Sequence, residues 1–282
     1  MLGHKLWQHC ASRFDAVATF REQPRAPIFD RDRCIAGVTA EHVDSIRNVV
    51  DRVRPAVVVN CIGIVKQDPR SSDPLHALAV NAMLPHHVAA ICKAAGARFI
   101  HLSTDCVFSG DIGGYRESDV ADARDLYGRT KLLGEVTNDD HCLTLRTSLI
   151  GRELHDGHGL AEWFFSQAGK RVRGYTRAVF SGFTTNAISR ILGDIIERHP
   201  TLHGLYHLAA APIAKYDLLL QLNDAFRCGA EIGADGSVVI DRSLDGSRFA
   251  AATGFQAPSW QEMIEEMRND STPYDAIRQG RH

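Results

Sequence analysis

The chain has 282 residues, 44% of them hydrophobic and 23% charged, with a formal net charge of -2. Those values suit one large globular domain or two interleaved lobes, and they supply no basic field for nucleic acid or an anionic membrane. No apolar run approaches the ~18–20 residues of a bilayer span, no basic-then-apolar leader opens the chain, and the seven cysteines lack C-x-x-C spacing, so reduced thiols in a cytoplasmic protein are expected.

Met1-Leu2-Gly3-His4-Lys5-Leu6 reads as the start of a helix. Ala16–Phe20 reads as a strand, Cys34–Val38 as a short one, and Ala56–Asn60 as a β-branched run of the kind a buried parallel strand shows. Asp73-Pro74 predicts an N-cap followed by proline at the first helical position. That helix runs towards Gly96, with a kink expected at Pro85. Arg98–Leu102 is the next strand, Ser109–Ala123 a polar loop, then come a helix holding Tyr127 and a strand over Cys142–Thr147. The second half is less regular. Gly151–Gly159 is loop-like, Leu160–Ala168 and Thr185–Arg198 read as helices, and Gly204–Ala209 as a strand able to rejoin the sheet. Pro212–Phe226 is helical, Ser237–Ile240 a short strand, and Pro258–Met267 opens a last helix. The alternation predicts an α/β fold with a doubly wound parallel sheet. His155-Asp156-Gly157-His158 has the one tempting metal-ligand spacing among the fourteen histidines; in a Gly-rich stretch it reads as a polar loop, and no metal site is assigned.

Tyr127-Gly128-Arg129-Thr130-Lys131 carries the chemistry. A Tyr and a Lys four residues apart share one helix face. A nearby ammonium stabilises phenolate and pulls the Tyr pKa towards working pH. A Tyr tuned that way passes a proton to or from an oxygen undergoing redox chemistry. A hydroxyl at the end of the preceding strand, in Ser103-Thr104-Asp105, is placed to hold the same oxygen. Alone the spacing is weak; its weight comes from the residues before it. A dinucleotide site on such a sheet also needs a first strand and a Gly-rich turn that meets the pyrophosphate at a helix N-terminus. Gly3 fits the last glycine of that turn, and the first strand with the other glycines is expected upstream of Met1.

Several segments, in order, resemble one family. They are Asn60-Cys61-Ile62-Gly63, Asn81 on the long helix, Ser103-Thr104-Asp105-x-Val107-Phe108-x-Gly110, and Gly114-Tyr115-x-Glu117-x-Asp119. They continue through Tyr127-Gly128-x-x-Lys131-x-x-Gly134-Glu135, Leu145-Arg146-Thr147-Ser148, Arg242-Ser243-Leu244-Asp245 and Pro258-x-Trp260. The chain is similar over nearly its whole length to extended short-chain dehydrogenases/reductases, and within them to the dTDP-4-dehydrorhamnose reductase-like group. The resemblance implies a Rossmann-like domain over 1–149, which 182–209 rejoins, and a smaller substrate-binding lobe from 150–181 and 210–282. It implies hydride transfer from NADPH, with NADH as the alternative, to the C4 ketone of a nucleotide-linked 6-deoxy-4-ketosugar in surface-polysaccharide synthesis.

In that reading Tyr127 is the general acid, Lys131 binds the nicotinamide ribose and lowers the Tyr pKa, and Thr104 holds the ketone oxygen. Gly3, Asn60, Cys61, Ile62, Gly63 and Ser103 join Lys131 along the cofactor. Arg21 follows the second strand, where no carboxylate favours a free 2′-hydroxyl, and is the candidate for a 2′-phosphate. Lys66, Gln67 and Asp105 are expected to face substrate, and Arg177 and Arg242 to meet its diphosphate, because guanidinium pairs bidentately with phosphate. Arg146 is expected to brace the sheet end, and a homodimer is compatible with the family. Leu149, Thr184 and Ala123 stand where relatives tend to show Trp, Pro and Pro, which weakens dTDP-4-dehydrorhamnose as the specific substrate more than the reaction class. The rival readings are an epimerase that retains NAD and a non-catalytic NADP-binding regulatory subunit.

Overall fold

A computed structural model of the chain describes residues 1–66, 68–155, 157 and 159–280. Helix α1 (Leu2–Ala11) turns Leu2, Leu6 and Cys10, spaced four apart, into the core. Strands β1 (Ala18–Thr19) and β2 (Cys34–Ile35) pair in parallel. Helix α2 (Val43–Val53) buries Ile46 and Val50 and leads to strand β3 (Val57–Asn60).

The next helical run has three parts: α3 (Pro74–Ala77), a π-helical turn over Leu78–Met83, and α4 (Leu84–Ala95). Asp73 caps it by accepting from the Leu75 N–H at 3.0 Å. The kink expected at Pro85 is instead the wide turn just before it. Pro85 has no N–H for the Asn81 carbonyl four residues back, and the π register absorbs that loss. Gly134 lies against the Asn81 carbonyl so closely that a Cβ there would sit 2.0 Å from the oxygen. Contrary to the expectation from apolar run length, Pro74–Ala95 is a helix of 22 residues with the length and composition to cross a bilayer. Here Val80, Leu84, Val88, Ile91 and Cys92 pack with Ile46, Val50 and Phe99.

Strand β4 (Arg98–Thr104), helix α5 (Leu126–Leu133), strand β5 (Cys142–Thr147) and the short β6 (Leu149–Ile150) follow. Then come α6 (Leu160–Phe165), β7 (Arg171–Phe180), β8 (Phe183–Thr184), α7 (Thr185–Arg198) and β9 (Gly204–His207). The chain closes with β10 (Ile213–Ala214), α8 (Lys215–Phe226), β11 (Glu231–Asp241), α9 (Ser247–Thr253), α10 (Trp260–Arg268) and α11 (Tyr274–Gln279).

The main sheet has the order β3-β4-β5-β9, all parallel. Leu143, Leu145, Ile188 and Leu192 pack with α1 on one side, and Phe99 and Cys142 pack with α2 and α4 on the other, so helices cover both faces. The β1–β2 pair is a separate piece; among the described residues no strand bonds β1 to β3. A second sheet has the order β10-β7-β11, with β7 antiparallel to β10 and parallel to β11. The sequence reading missed β7 and saw only the end of β11. Arginines and Gly174 break the apolar signal of β7, and a register shift between Asp235 and Val239 breaks that of β11. The family-marked segments 114–119 and 242–245 are tied together: Tyr115 N–H donates to the Ser243 carbonyl at 2.9 Å, and Asp245 N–H to the Tyr115 carbonyl at 2.7 Å.

Candidate active site

Three successive residues at the C-terminal end of β4 each engage one residue of the α5 region. The Leu102 carbonyl accepts from Lys131 Nζ at 2.7 Å. The Ser103 hydroxyl donates to Glu135 Oε1 at 2.6 Å. The Thr104 hydroxyl interacts with the Tyr127 phenol. Asp125 caps α5 by accepting from the Gly128 N–H at 2.8 Å. Gly128 lets the helix approach: a Cβ there would lie 2.2 Å from the Cys106 carbonyl oxygen. Thr104 also accepts from the Cys106 N–H at 3.1 Å and donates to Asp105 Oδ1 at 3.1 Å, which fixes its hydroxyl.

The electrostatics differ from expectation at the central pair. Burial pushes the Tyr127 phenol above its ordinary range, and the charges of Asp105 and Asp125 add to that, while Thr104 opposes it. The shared helix face is real, but the Lys131 ammonium is drawn to the strand carbonyl. Burial lowers Lys131 itself to about 8, against an upward pull from Glu135. Burial likewise raises the Asp105 carboxyl, opposed by Cys106 and Arg242.

The other strand ends converge on the same region. Asn60 is buried; its Oδ1 accepts from the Ile62 N–H at 2.9 Å and its Nδ2 lies 3.2 Å from His101 Nδ1. Cys61, Ile62 and Gly63 are exposed residues directly after β3. Asn81 clamps the next residue, accepting from the Ile64 N–H at 2.9 Å and donating to its carbonyl at 3.1 Å. Gly3, in the first turn of α1, meets this segment: a Cβ on it would lie 3.7 Å from Cys61 Cβ. Arg21 is exposed just past β1 and acts electrostatically on Glu41. Ser103, expected beside the cofactor, donates its hydroxyl to Glu135.

Of the residues expected to face substrate, Arg242 donates from Nε to the Phe108 carbonyl at 2.9 Å, and its charge acts on Asp105 and Asp125. Lys66 Nζ pairs with Asp125 Oδ2 at 2.7 Å. Burial would raise Asp125, but the Gly128 N–H and Lys66 hold it below the ordinary carboxylate range. Arg177 is exposed on β7, opposite Val239. Gln67 and His158 lie outside the described residues. Arg146 braces the sheet end through a bidentate pair with Glu135, at 2.8 Å from both Nε and Nη2. Sequence reasoning gave Glu135 and Asp125 no role. Their signals were present: Glu135 stands four residues after Lys131, and Asp125 directly before the helix. Asp139, His141 and Cys142 bring three metal-type donor atoms within 4.8 Å of one another. They sit at the start of β5, at the opposite end of that strand from Thr147; Asp139 is paired with Lys93 at 2.7 Å and His141 Nε2 with the Ala89 carbonyl at 2.9 Å.

Curated relatives and solved structures match this architecture. A dTDP-4-dehydrorhamnose reductase of Streptomyces griseus is 44% identical over 113 residues, which span 37% of this chain and 37% of that protein, well under two thirds of its length. One from Shigella flexneri is 25% identical over 260 residues, covering 83% of this chain and 86% of the relative. The crystal structure of a dTDP-4-dehydrorhamnose reductase from Bacillus anthracis, in complex with NADP, superposes with a TM-score of 0.74 at 18% identity, covering 89% of this chain and 98% of that one. The family described as the RmlD substrate binding domain matches residues 1–232, and the chain belongs to it.

Proposed function

We propose that the chain is an NADPH-dependent reductase, with NADH as the alternative donor, acting on the C4 ketone of a nucleotide-linked 6-deoxy-4-ketosugar. The observation that carries this reading is the alignment of Thr104, Tyr127 and Lys131 at the end of β4, with Tyr127 held in its acid form. The names of the Streptomyces and Shigella relatives support the reaction class, and the NADP in the Bacillus structure supports the cofactor.

The residues present fit a nicotinamide dinucleotide at its reactive end. Cys61–Gly63 follow the β3 end that pairs beside His101 on β4, Gly3 in the first turn of α1 lies next to Cys61, and Lys131 Nζ sits on the Leu102 carbonyl two residues before Thr104. The cofactor supplies a hydride donor when bound. Thr104 would orient the ketone oxygen by turning its one hydroxyl proton from Asp105 Oδ1 onto it. Tyr127 would donate its phenolic proton to the C4 oxygen as negative charge develops on it during reduction. The phenolate is reprotonated from solvent, so one proton is consumed per turnover. Lys131 would hold the ribose hydroxyls of the cofactor and favour the transient phenolate.

Residues 150–181 and 210–282 form the sugar-nucleotide lobe in this proposal, with Arg242, Lys66 and Asp105 facing substrate. A cytoplasmic location belongs to the same reading, and a homodimer is compatible with it. The test is NADPH oxidation against a panel of nucleotide ketosugars, with Tyr127→Phe as control. The variant is expected to lose about 10²–10⁴-fold in rate with NADPH affinity kept. Near-normal turnover removes Tyr127 from the acid role. NADPH binding without turnover on any ketosugar favours a regulatory subunit, and product without net NADPH loss an epimerase.

A further inference from the structure

The chemistry above leaves unused a cluster of donors at the far end of β5. Asp140 and His141 are the central residues of a turn closed by the Cys142 N–H, which donates to the Asp139 carbonyl at 2.9 Å. The turn is pinned to β4, where the Phe99 N–H donates to the His141 carbonyl at 2.8 Å and Phe99 pairs with Cys142. It folds three different donors towards one point: a carboxylate oxygen of Asp139, a ring nitrogen of His141 and the Cys142 sulfur lie within 4.8 Å of one another. Cys142 Sγ is 3.3 Å from His141 Nε2, and the Ala89 carbonyl of α4 is 2.9 Å from the same nitrogen. A carbonyl only accepts, so Nε2 carries the ring proton. The carbonyl, the sulfur and the carboxylate are gathered around that one proton. Lys93, one helical turn after Ala89, pairs with Asp139 at 2.7 Å.

We propose that Asp139, His141 and Cys142, with the Ala89 carbonyl, form a site for a divalent ion of the zinc class that staples α4 to the start of β5. Thiolate, imidazole and carboxylate together select zinc-like ions over magnesium or calcium, which take oxygen ligands. Tetrahedral bonds of ~2.3 Å to sulfur and ~2.05 Å to nitrogen or oxygen hold the donor atoms about 3.4–3.6 Å apart. The observed separations of 3.3 and 2.9 Å therefore open by only about 0.3–0.5 Å. Binding moves the ring proton to Nδ1 and releases the thiol proton to solvent, and the ion then satisfies carbonyl, sulfur and carboxylate at once. Lys93 is the opposing group. Its side chain is 67% exposed and that of Asp139 38%, so the pair is solvated and readily exchanged for an ion. Asp139 is also the side of entry, because Cys142 is buried. Thr147, beside Thr104, stands at the other end of β5, so the site is separate from the reductase chemistry and does not rest on it.

The experiment titrates the chelator-treated full chain with Co²⁺ and then with Zn²⁺. One equivalent of Co²⁺ is expected to give a thiolate-to-cobalt charge-transfer band, which Zn²⁺ removes by displacement, and saturating Zn²⁺ is expected to raise the urea midpoint. Cys142→Ser is expected to abolish the band, while Cys34→Ser and Cys228→Ser, at half-buried thiols elsewhere, keep it. Asp139→Asn should weaken binding by about tenfold or more and Lys93→Met should strengthen it by about tenfold, since one removes and the other unmasks the negative charge of the site. If Cys142→Ser does not fold, Asp139→Asn and His141→Gln, at partly exposed positions, carry the same test, with the affinity for Co²⁺ expected to fall in both. No band at one equivalent, a band that survives in folded Cys142→Ser, or an affinity unchanged in both Asp139→Asn and His141→Gln overturns the proposal.

Discussion

Lys131 donates to the Leu102 carbonyl at 2.7 Å, from the helix to the strand that presents Thr104 two residues later. The bond ties the ammonium to the same backbone that positions the hydroxyl expected to hold the substrate oxygen. Burial brings Lys131 down to about 8. A lysine is charged below its pKa, so kcat/KM is expected to be level on the acid side and to fall about tenfold per pH unit above about 8. Burial keeps Tyr127 protonated well beyond that point, so the alkaline limb belongs to Lys131. Lys131→Met should lower kcat/KM by about 10²-fold or more and abolish the limb. A pH–rate profile of both proteins checks it.

Gly128 sits where a Cβ would come within 2.2 Å of the Cys106 carbonyl oxygen and 2.7 Å of Ala123 Cβ. Neither neighbour is a flexible side-chain tip, so Gly128→Ala has to push α5 away from the turn after β4. Overpacking of this kind costs about 1–3 kcal/mol. The shift falls on Tyr127, one residue before it, and displacements near 1 Å at a reacting group cost about 10²-fold in rate. Activity should therefore drop further than stability does. Paired measurement of turnover and urea midpoint distinguishes this from simple unfolding.

The features that set the main sheet were legible because their causes are local. Cys142–Thr147 is buried at every position and alternates Leu with Thr and Arg after Cys142, Thr185–Arg198 is amphipathic with a side-chain cap from Thr184, and Asp73-Pro74 is a cap written in two residues. Strand β7 was not legible, since only alternate positions face the core and arginines fill the rest. At the site, spacing showed that Tyr127 and Lys131 share a face. It did not show that a carbonyl on another element captures the ammonium, or that Ser103 spends its hydroxyl on Glu135. Those are tertiary contacts, and no periodicity within one element encodes them.

His101 links the site to acid stability. It is buried, and because Asn60 Oδ1 accepts from the Ile62 N–H, the Asn60 amide must donate to His101 Nδ1. The imidazole proton is then on Nε2, which has no partner among the described residues. Burial lowers the His101 pKa well below 6.5. The unfolded chain binds a proton below that value and the folded chain does not. Stability is therefore fully present above about pH 6.5 and lost as pH falls, by up to ~1.4 kcal/mol per pH unit from this group. His101→Gln keeps an acceptor for Asn60 and should flatten the fall between pH 7 and pH 5, measured by urea denaturation at each pH.

The N-terminal helix is fastened by the C-terminal segment through a second buried ion pair. Lys5 bonds Asp270 with side chains only 5% and 8% exposed, and it also donates to Thr272 Oγ1 at 2.6 Å and Gln8 Oε1 at 2.8 Å. Burial would raise the Asp270 carboxyl, but Lys5 and Thr272 hold it below the ordinary range. Tyr274 closes the joint, its ring edge-on to His4 at 84°. Lys5→Met leaves a carboxylate buried without its partner, and such losses cost about 3–5 kcal/mol. Adding Asp270→Leu removes the stranded charge and should recover most of that loss, because the desolvation of both ions offsets much of their attraction. A double-mutant cycle by urea denaturation measures the coupling directly. A single-variant loss under about 1 kcal/mol would place the pair in the range of solvated surface bridges, and α1 would then be held by its apolar face and its neutral hydrogen bonds, such as Trp7 Nε1 to the Ile28 carbonyl.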